Sequence, residues 1–309
     1  MLLAATGSGL YGFSSEGQAA LQVLHGKAVT AVAATPERVY AAVRGAGVLE
    51  SAEGAQWDVA LDGVNARCLG VAPDGGVYAG TDPAAVYRSY GEGFELLDSI
   101  RELPSYPLWT FPNPPHVGNI RCVTFSDDTV YAAVEVGGVI GSRDGGKTWS
   151  EMREGLHPDV HWVTCATDGT LYAATGQGFF RSRESGASWE SCCDGLQTIY
   201  LTPLAVSSER PEVVFTSGTE GRPRYWRGRD GGARGTIYRS TKAGDAWEPV
   251  MGGLDGAVEV LAIDPADPET VYAGTADGKI LKGVDLGNSW TVLADGLPPV
   301  HKIAFTAVP

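Results

Sequence analysis

The sequence predicts an all-β chain: a single seven-bladed β-propeller of four-stranded antiparallel blades, closed by the C-terminal strand completing the N-terminal blade. Three observations predict it. An octapeptide of the form Ser-x-Asp-x-Gly-x-Thr-Trp returns along nearly the whole sequence. The composition, with 42 Gly, 18 Pro and frequent Val, Thr, Tyr and Trp, suits short strands and tight turns. The strands left over at the two ends of the chain complement each other.

The clearest repeat reads Val-Tyr-Ala-Ala, a turn, an apolar stretch, then Ser142-Arg143-Asp144-Gly145-Gly146-Lys147-Thr148-Trp149 and Glu154-Gly155-Leu156. The same frame returns at 182–189, 240–247 and 283–290, with weaker copies at 51–57, 89–94 and 14–21. Such self-similarity is the signature of repeat architecture. Each unit supplies an inner, a second, a third and an outer strand, and inner strands are expected to start near Val29, Ala66, Ile120, Val160, Thr202, Val258 and His301. The last has no partner strands after it, whereas residues 2–24 supply three strands with no inner one before them. Ring closure resolves both and removes free edges. Blade 1 is then 1–27 plus 298–309, blade 2 28–63, blade 3 64–100, blade 4 119–156, blade 5 157–196, blade 6 197–254 and blade 7 255–297. Segment 101–118 is an insertion between blades 3 and 4, and 219–235 one within blade 6.

The octapeptide resembles the Asp-box of BNR-repeat propellers, which occur in sialidases, xyloglucan-degrading glycoside hydrolases, sortilin-type receptors and photosystem II assembly factors. The resemblance implies the fold. It also implies that Asp144 and its counterparts are turn devices on the face away from any active site. An Asp can cap turn N–H groups while Gly takes a positive φ and Trp packs between sheets. Sialidases are six-bladed and carry an Arg-Ile-Pro signature near the N-terminus; this sequence has neither, so their activity is not carried over.

The net charge of −14 argues against a nucleic-acid partner, which needs a contiguous basic face, and against an anionic membrane surface. No apolar run approaches the roughly 18 to 20 residues that span a bilayer, and the first residues lack the pattern of a signal peptide, so a cytoplasmic protein is expected. The five cysteines, at 68, 122, 165, 192 and 193, form no CxxC pair, and the first three are read as small buried hydrophobes at equivalent strand positions.

In such a ring the inner strand begins and the second strand ends on one face, the channel mouth. The corresponding inner-strand residues are Thr30, Arg67, Arg121, His161, Thr202, Glu259 and His301, joined by Arg44, Asp82 and Glu135 from second-strand ends. Charged strand ends commonly line a solvated channel, but Arg, His and Glu converging on one mouth also suit anion binding, proton transfer or a metal ion. Both insertions are expected on this face, bringing Trp109, Trp226 and Arg227 over a pocket.

On an enzyme reading, of hydrolase or lyase type, Arg44, Arg67 and Arg121 with Trp109, Trp226 and Arg227 bind a small anionic or sugar-like substrate. His161, His301, Glu135 and Glu259 then supply acid–base chemistry, or His116, His161 and His301 hold a divalent metal ion. A second reading is a non-catalytic scaffold docking a peptide or protein through the same aromatic and Arg residues. A third gives the propeller no site of its own within an assembly. No Gly-rich loop between a strand and a helix marks a nucleotide cofactor.

Overall fold

The computed structural model describes residues 1–54, 56–111, 116–220 and 232–307. These form seven four-stranded antiparallel sheets arranged as blades around an axis. The inner strands are Val29–Ala34, Ala66–Val71, Ile120–Ser126, Val160–Cys165, Leu201–Val206, Val258–Asp264 and Val300–Phe305. The last pairs antiparallel with Leu2–Thr6, so the two ends of the chain share blade 1. The Met1 ammonium and Thr306 carbonyl, 2.9 Å apart, and the Thr306 N–H and Met1 carbonyl, 3.0 Å apart, complete the closure.

Second strands explain their own sequence. Val39–Val43, Val77–Thr81 and Leu171–Thr175 are buried at every position, because blades cover both faces, and they read as continuous apolar runs rather than alternating ones. Outer strands such as Asp58–Leu61 face solvent. The core is divided among the gaps between blades. Ala31, Tyr40 and Val48 of blade 2 pack on Leu69, Val77 and Ala79 of blade 3, and Leu2 and Ile303 of blade 1 pack on Val260 and Tyr272 of blade 7. Sheets approach closely near the axis: a Cβ on Gly80 would lie 2.5 Å from Ile120 Cγ2, so the Ala of other repeats is excluded there.

The Asp-box turn is held by its own side chains. Asp144 Oδ1 accepts from Thr148 N–H at 2.9 Å and from the Ser142 hydroxyl at 2.7 Å, while Ser142 Oγ accepts from Gly146 N–H at 2.8 Å. The Ser contact returns at Ser182 with Gly186 and at Ser240 with Gly244, both 2.9 Å. Trp189 and Trp247 donate from the indole to the Met152 and Cys192 carbonyls of the preceding blade. Register pairs Val134 with Gly138 and Val130 with Ser142, which puts the Asp-box at the opposite end of the blade from Glu135.

Two expectations are corrected. Cys68 and Cys122 occupy the third position of their inner strands, but Cys165 is the sixth residue of its strand and Trp162 holds the third. The insertion at 101–118 buries Trp109 instead of laying it over the mouth, while its Tyr106 and Arg101 line a cavity with Asn65 and Asp82 on that face. It forms two 3₁₀ turns, Asp98–Glu102 and Tyr106–Leu108, whose Ile100, Leu103 and Trp109 join the core between blades 3 and 4. Ser105 N–H donates to Glu151 at 2.7 Å and the Ser99 hydroxyl to the Gly146 carbonyl at 2.8 Å, tying the segment along the flank of blade 4.

Candidate functional site at the channel mouth

Every inner strand carries a register shift at the same place. Pairing skips Thr30, Arg67, Arg121, His161, Glu259 and His301, and in blade 6 both Thr202 and Pro203. A bulge leaves one residue without a cross-strand partner and re-aims its side chain. Seven bulges in register thus turn the second residue of each inner strand toward the axis or toward the next blade.

The seven residues divide by what they reach. Thr30 Oγ1 donates to the Ala66 carbonyl at 2.8 Å, Thr202 Oγ1 to the Val258 carbonyl at 3.1 Å, and His161 Nδ1 to the Leu201 carbonyl at 2.5 Å. Each accepting carbonyl belongs to the first residue of the next inner strand, so these three brace successive blades. Arg67, Arg121, Glu259 and His301, together with Arg44, line one cavity of about 250 Å³ at the mouth; Thr30, Thr202, Trp162 and Lys302 also contribute to its wall.

Charges within this cavity are unequally compensated. Arg121 contacts Glu135 at 3.1 Å, and the same carboxylate accepts from Asn119 Nδ2 at 3.1 Å. His301 Nδ1 meets Glu259 Oε2 at 2.5 Å. Among the described residues, Arg44 and Arg67 have no ion pair and no side-chain hydrogen bond. Burial, and then the Arg121 guanidinium, push the Arg67 pKa below its ordinary value. Arg67 is thus a half-buried guanidinium with no direct carboxylate partner among the described residues, with Asp82 and Glu135 acting on it only at longer range.

Several sequence-predicted residues lie elsewhere. Glu135, 5% exposed, is sequestered beneath Arg121 and does not line the cavity. His161, 1% exposed, faces the next blade rather than the channel. Trp109 is buried with its indole donating to Ser105 at 3.0 Å, so its candidacy as a ligand contact is withdrawn. Exposed His116 bonds the Phe111 carbonyl through Nδ1. Trp226 and Arg227 lie outside the described residues.

The metal set is also redrawn. The group whose ligand atoms all lie within 4.8 Å of one another, among the described residues, is Glu135, Asp159 and His161, without His116 or His301. Donation of the Nδ1 proton to Leu201 leaves Nε2 facing Asp159 Oδ1 at 3.4 Å, the orientation a metal-binding imidazole adopts. Asn119 Oδ1, beside Glu135, is buried without a partner among the described residues.

Sequence reasoning missed Asp159 and Lys302. Asp159 stands just before its inner strand, two positions ahead of the ring residue His161, and Lys302 stands just after His301 in a slot that other blades fill with uncharged residues.

No family model and no curated protein matches this chain. Solved structures do. A xyloglucanase of glycoside hydrolase family 74 from Xanthomonas campestris aligns with 96% of the chain at 19% identity and a TM-score of 0.74. The chain spans about half, 52%, of that enzyme. YCF48 bound to D1 peptide aligns over 92% of this chain and 89% of its own, at 17% identity and a TM-score of 0.65. YCF48 from Cyanidioschyzon merolae aligns over 86% and 84%, at 13% identity and a TM-score of 0.61. The chain shares their seven-bladed propeller fold. At these identities the likeness is one of architecture, common to hydrolases and to proteins that hold a peptide. No helix among the described residues is long and apolar enough to cross a membrane.

Proposed function

We propose that the channel mouth binds a small anionic ligand, a carboxylate or phosphate such as a sugar acid. On this proposal the chain is an enzyme of hydrolase or lyase type with His301 and Glu259 as its proton-transfer pair. The observation that carries it is the placement of Arg44 and Arg67, without partners among the described residues, beside Arg121 in one cavity. Guanidinium forks match planar carboxylate and tetrahedral phosphate oxygens two at a time. His301 and Glu259 share a short hydrogen bond on the same wall, so a proton can pass between ligand and imidazole with the carboxylate fixing the ring. Glu135 is not the acid or base in this reading, because it lies beneath Arg121 and does not line the cavity.

A divalent ion, where one is bound, is proposed at Glu135, Asp159 and His161, supported by their mutual spacing and by the imidazole orientation. Elemental analysis of untagged protein is expected to show an ion that is lost in His161→Ala and retained in His301→Ala. Retention in His161→Ala would remove this assignment. A cytoplasmic setting is proposed on the five free thiols, which suit a reducing compartment.

A peptide-docking reading is favoured by one observation: the alignment to peptide-bound YCF48 runs over most of both chains. Calorimetric titration with inorganic phosphate, with glucuronate, with a neutral xyloglucan oligosaccharide and with an acidic peptide separates the readings. The expected result is binding of phosphate or glucuronate that Arg67→Ala weakens about tenfold or more. Binding of the peptide alone would establish docking instead, and binding of the neutral oligosaccharide alone would overturn the anion site.

A further inference from the structure

The third residue of the inner strand is uncharged in six blades: Ala31, Cys68, Cys122, Trp162, Pro203 and Val260. In the closing blade it is Lys302. Its side chain leaves blade 1 and reaches Trp162 of blade 5, with Nζ 4.1 Å from the ring centroid. Lys302 and Trp162 line both the mouth cavity and a second cavity of about 400 Å³ farther along the channel, so they form its waist and the floor of the anion site. Among the described residues no carboxylate pairs with this amine and no side-chain hydrogen bond holds it.

We propose that Lys302 is a nucleophilic amine that forms an imine with the carbonyl group of an anionic aldehyde or 2-oxo acid held above it by Arg44, Arg67 and Arg121. The proposal rests on the reading of the mouth as an anion site and names its substrate class. The Nζ lone pair forms a C–N bond to the carbonyl carbon, the C–O π pair moves to oxygen, and a proton passes from the nitrogen to that oxygen. The resulting carbinolamine loses its hydroxyl as water, leaving the C=N bond, so amine and carbonyl give imine and water with no oxidant or reductant. His301 and Glu259, on the same wall, are placed to deliver the proton that the departing hydroxyl needs.

The environment favours the free base that this chemistry requires. Burial lowers the Lys302 pKa, opposed by the Cys122 and Cys68 sulfurs and by the Trp162 ring face, which favours the ammonium form. Enzymes activate lysine by desolvation, and this floor supplies it. The guanidinium groups would simultaneously recruit the anion.

The chain has six lysines, so selectivity is measurable by peptide mapping. Intact protein is treated with limiting pyridoxal 5′-phosphate, a phosphorylated aldehyde, reduced with borohydride and mapped, in parallel with unphosphorylated pyridoxal. The expected result is modification of Lys302 about tenfold above each other lysine, and about tenfold more by the phosphorylated reagent, a factor equivalent to one charged hydrogen bond. Arg67→Ala is expected to erase the preference for phosphate while pyridoxal still marks Lys302, and Lys302→Arg to abolish the selective mark. Labelling spread over the lysines according to exposure would overturn the amine assignment, even where calorimetry shows phosphate bound. Equal labelling of Lys302 by both reagents would keep the amine and overturn the anion reading. The mapping on the unaltered chain stands whether or not the variants fold.

Discussion

Arg67 and Arg121 are neighbours with opposite roles, and the difference lies in what each leaves behind when removed. Arg121 neutralises Glu135, whose side chain is 7% exposed, so Arg121→Ala strands a buried carboxylate. Losing one partner of such a pair costs about 3 kcal/mol, which urea unfolding would read as a lowered midpoint with unchanged slope. Arg67 leaves no carboxylate stranded, and Arg67→Ala is expected to hold or raise the midpoint while weakening phosphate binding about tenfold or more. At this scale the sequence identified most of the charged part of the cavity wall, because a fixed offset in each repeat picks out Arg67, Arg121, Glu259 and His301. It did not separate His161 from them. Whether an imidazole turns to the axis or to the next blade depends on which carbonyl lies within its reach, here that of Leu201.

The bulged inner strand is the element that turns a repeat into a site. Thr30 and Thr202 use the bulge to bond the following blade, so Thr30→Val and Thr202→Val are each expected to lower stability by about 1 kcal/mol without altering anion affinity. A loss of affinity in either would place the threonine hydroxyl on the ligand instead. The recurrence of polar residues at this offset was legible, but the bulge was not, since a skipped partner is a property of two paired strands. The inserted segment teaches a related lesson. Trp109, Tyr106 and Leu103 suit a buried wedge as well as an exposed rim, and only packing against blade 4 decides between them. One of its ties is titratable: the Ser105 hydroxyl and then its N–H, helped by Arg153, hold the Glu151 carboxyl below its ordinary 4.5. A depressed folded pKa means the stabilisation is complete above 4.5 and is lost as pH falls through the lower folded value. The protection factor of the Ser105 amide, its exchange rate relative to the intrinsic rate at each pH, is therefore expected to fall on acidification through that range and to be low at every pH in Glu151→Gln. A pH-independent protection factor in the parent chain would show that the tie contributes nothing.

Closure and charge belong to the whole molecule. The complementary ends were legible because three strands without an inner one precede a lone inner strand, and Val300–Phe305 does fill that place. Deleting residues 300–309 uncovers Leu2–Thr6 as a free edge and opens the core between blades 7 and 1, so the truncated chain is expected to aggregate; a monomeric, cooperatively unfolding product would mean the ring tolerates a gap. The net charge poses the subtler test. An anion approaching a molecule of charge −14 is repelled at long range and attracted only within the cationic mouth. Salt screens beyond roughly 8 Å at physiological ionic strength, so it removes the distant repulsion more completely than the contact with Arg67 and Arg121. The association rate of phosphate or glucuronate, followed by stopped flow through intrinsic Trp fluorescence, is accordingly expected to rise with added sodium chloride, the reverse of steering by a uniformly basic surface. A rate that falls with salt would mean that the field of the mouth reaches well beyond the ring, and that the acidic residues lie too far from the axis to oppose it.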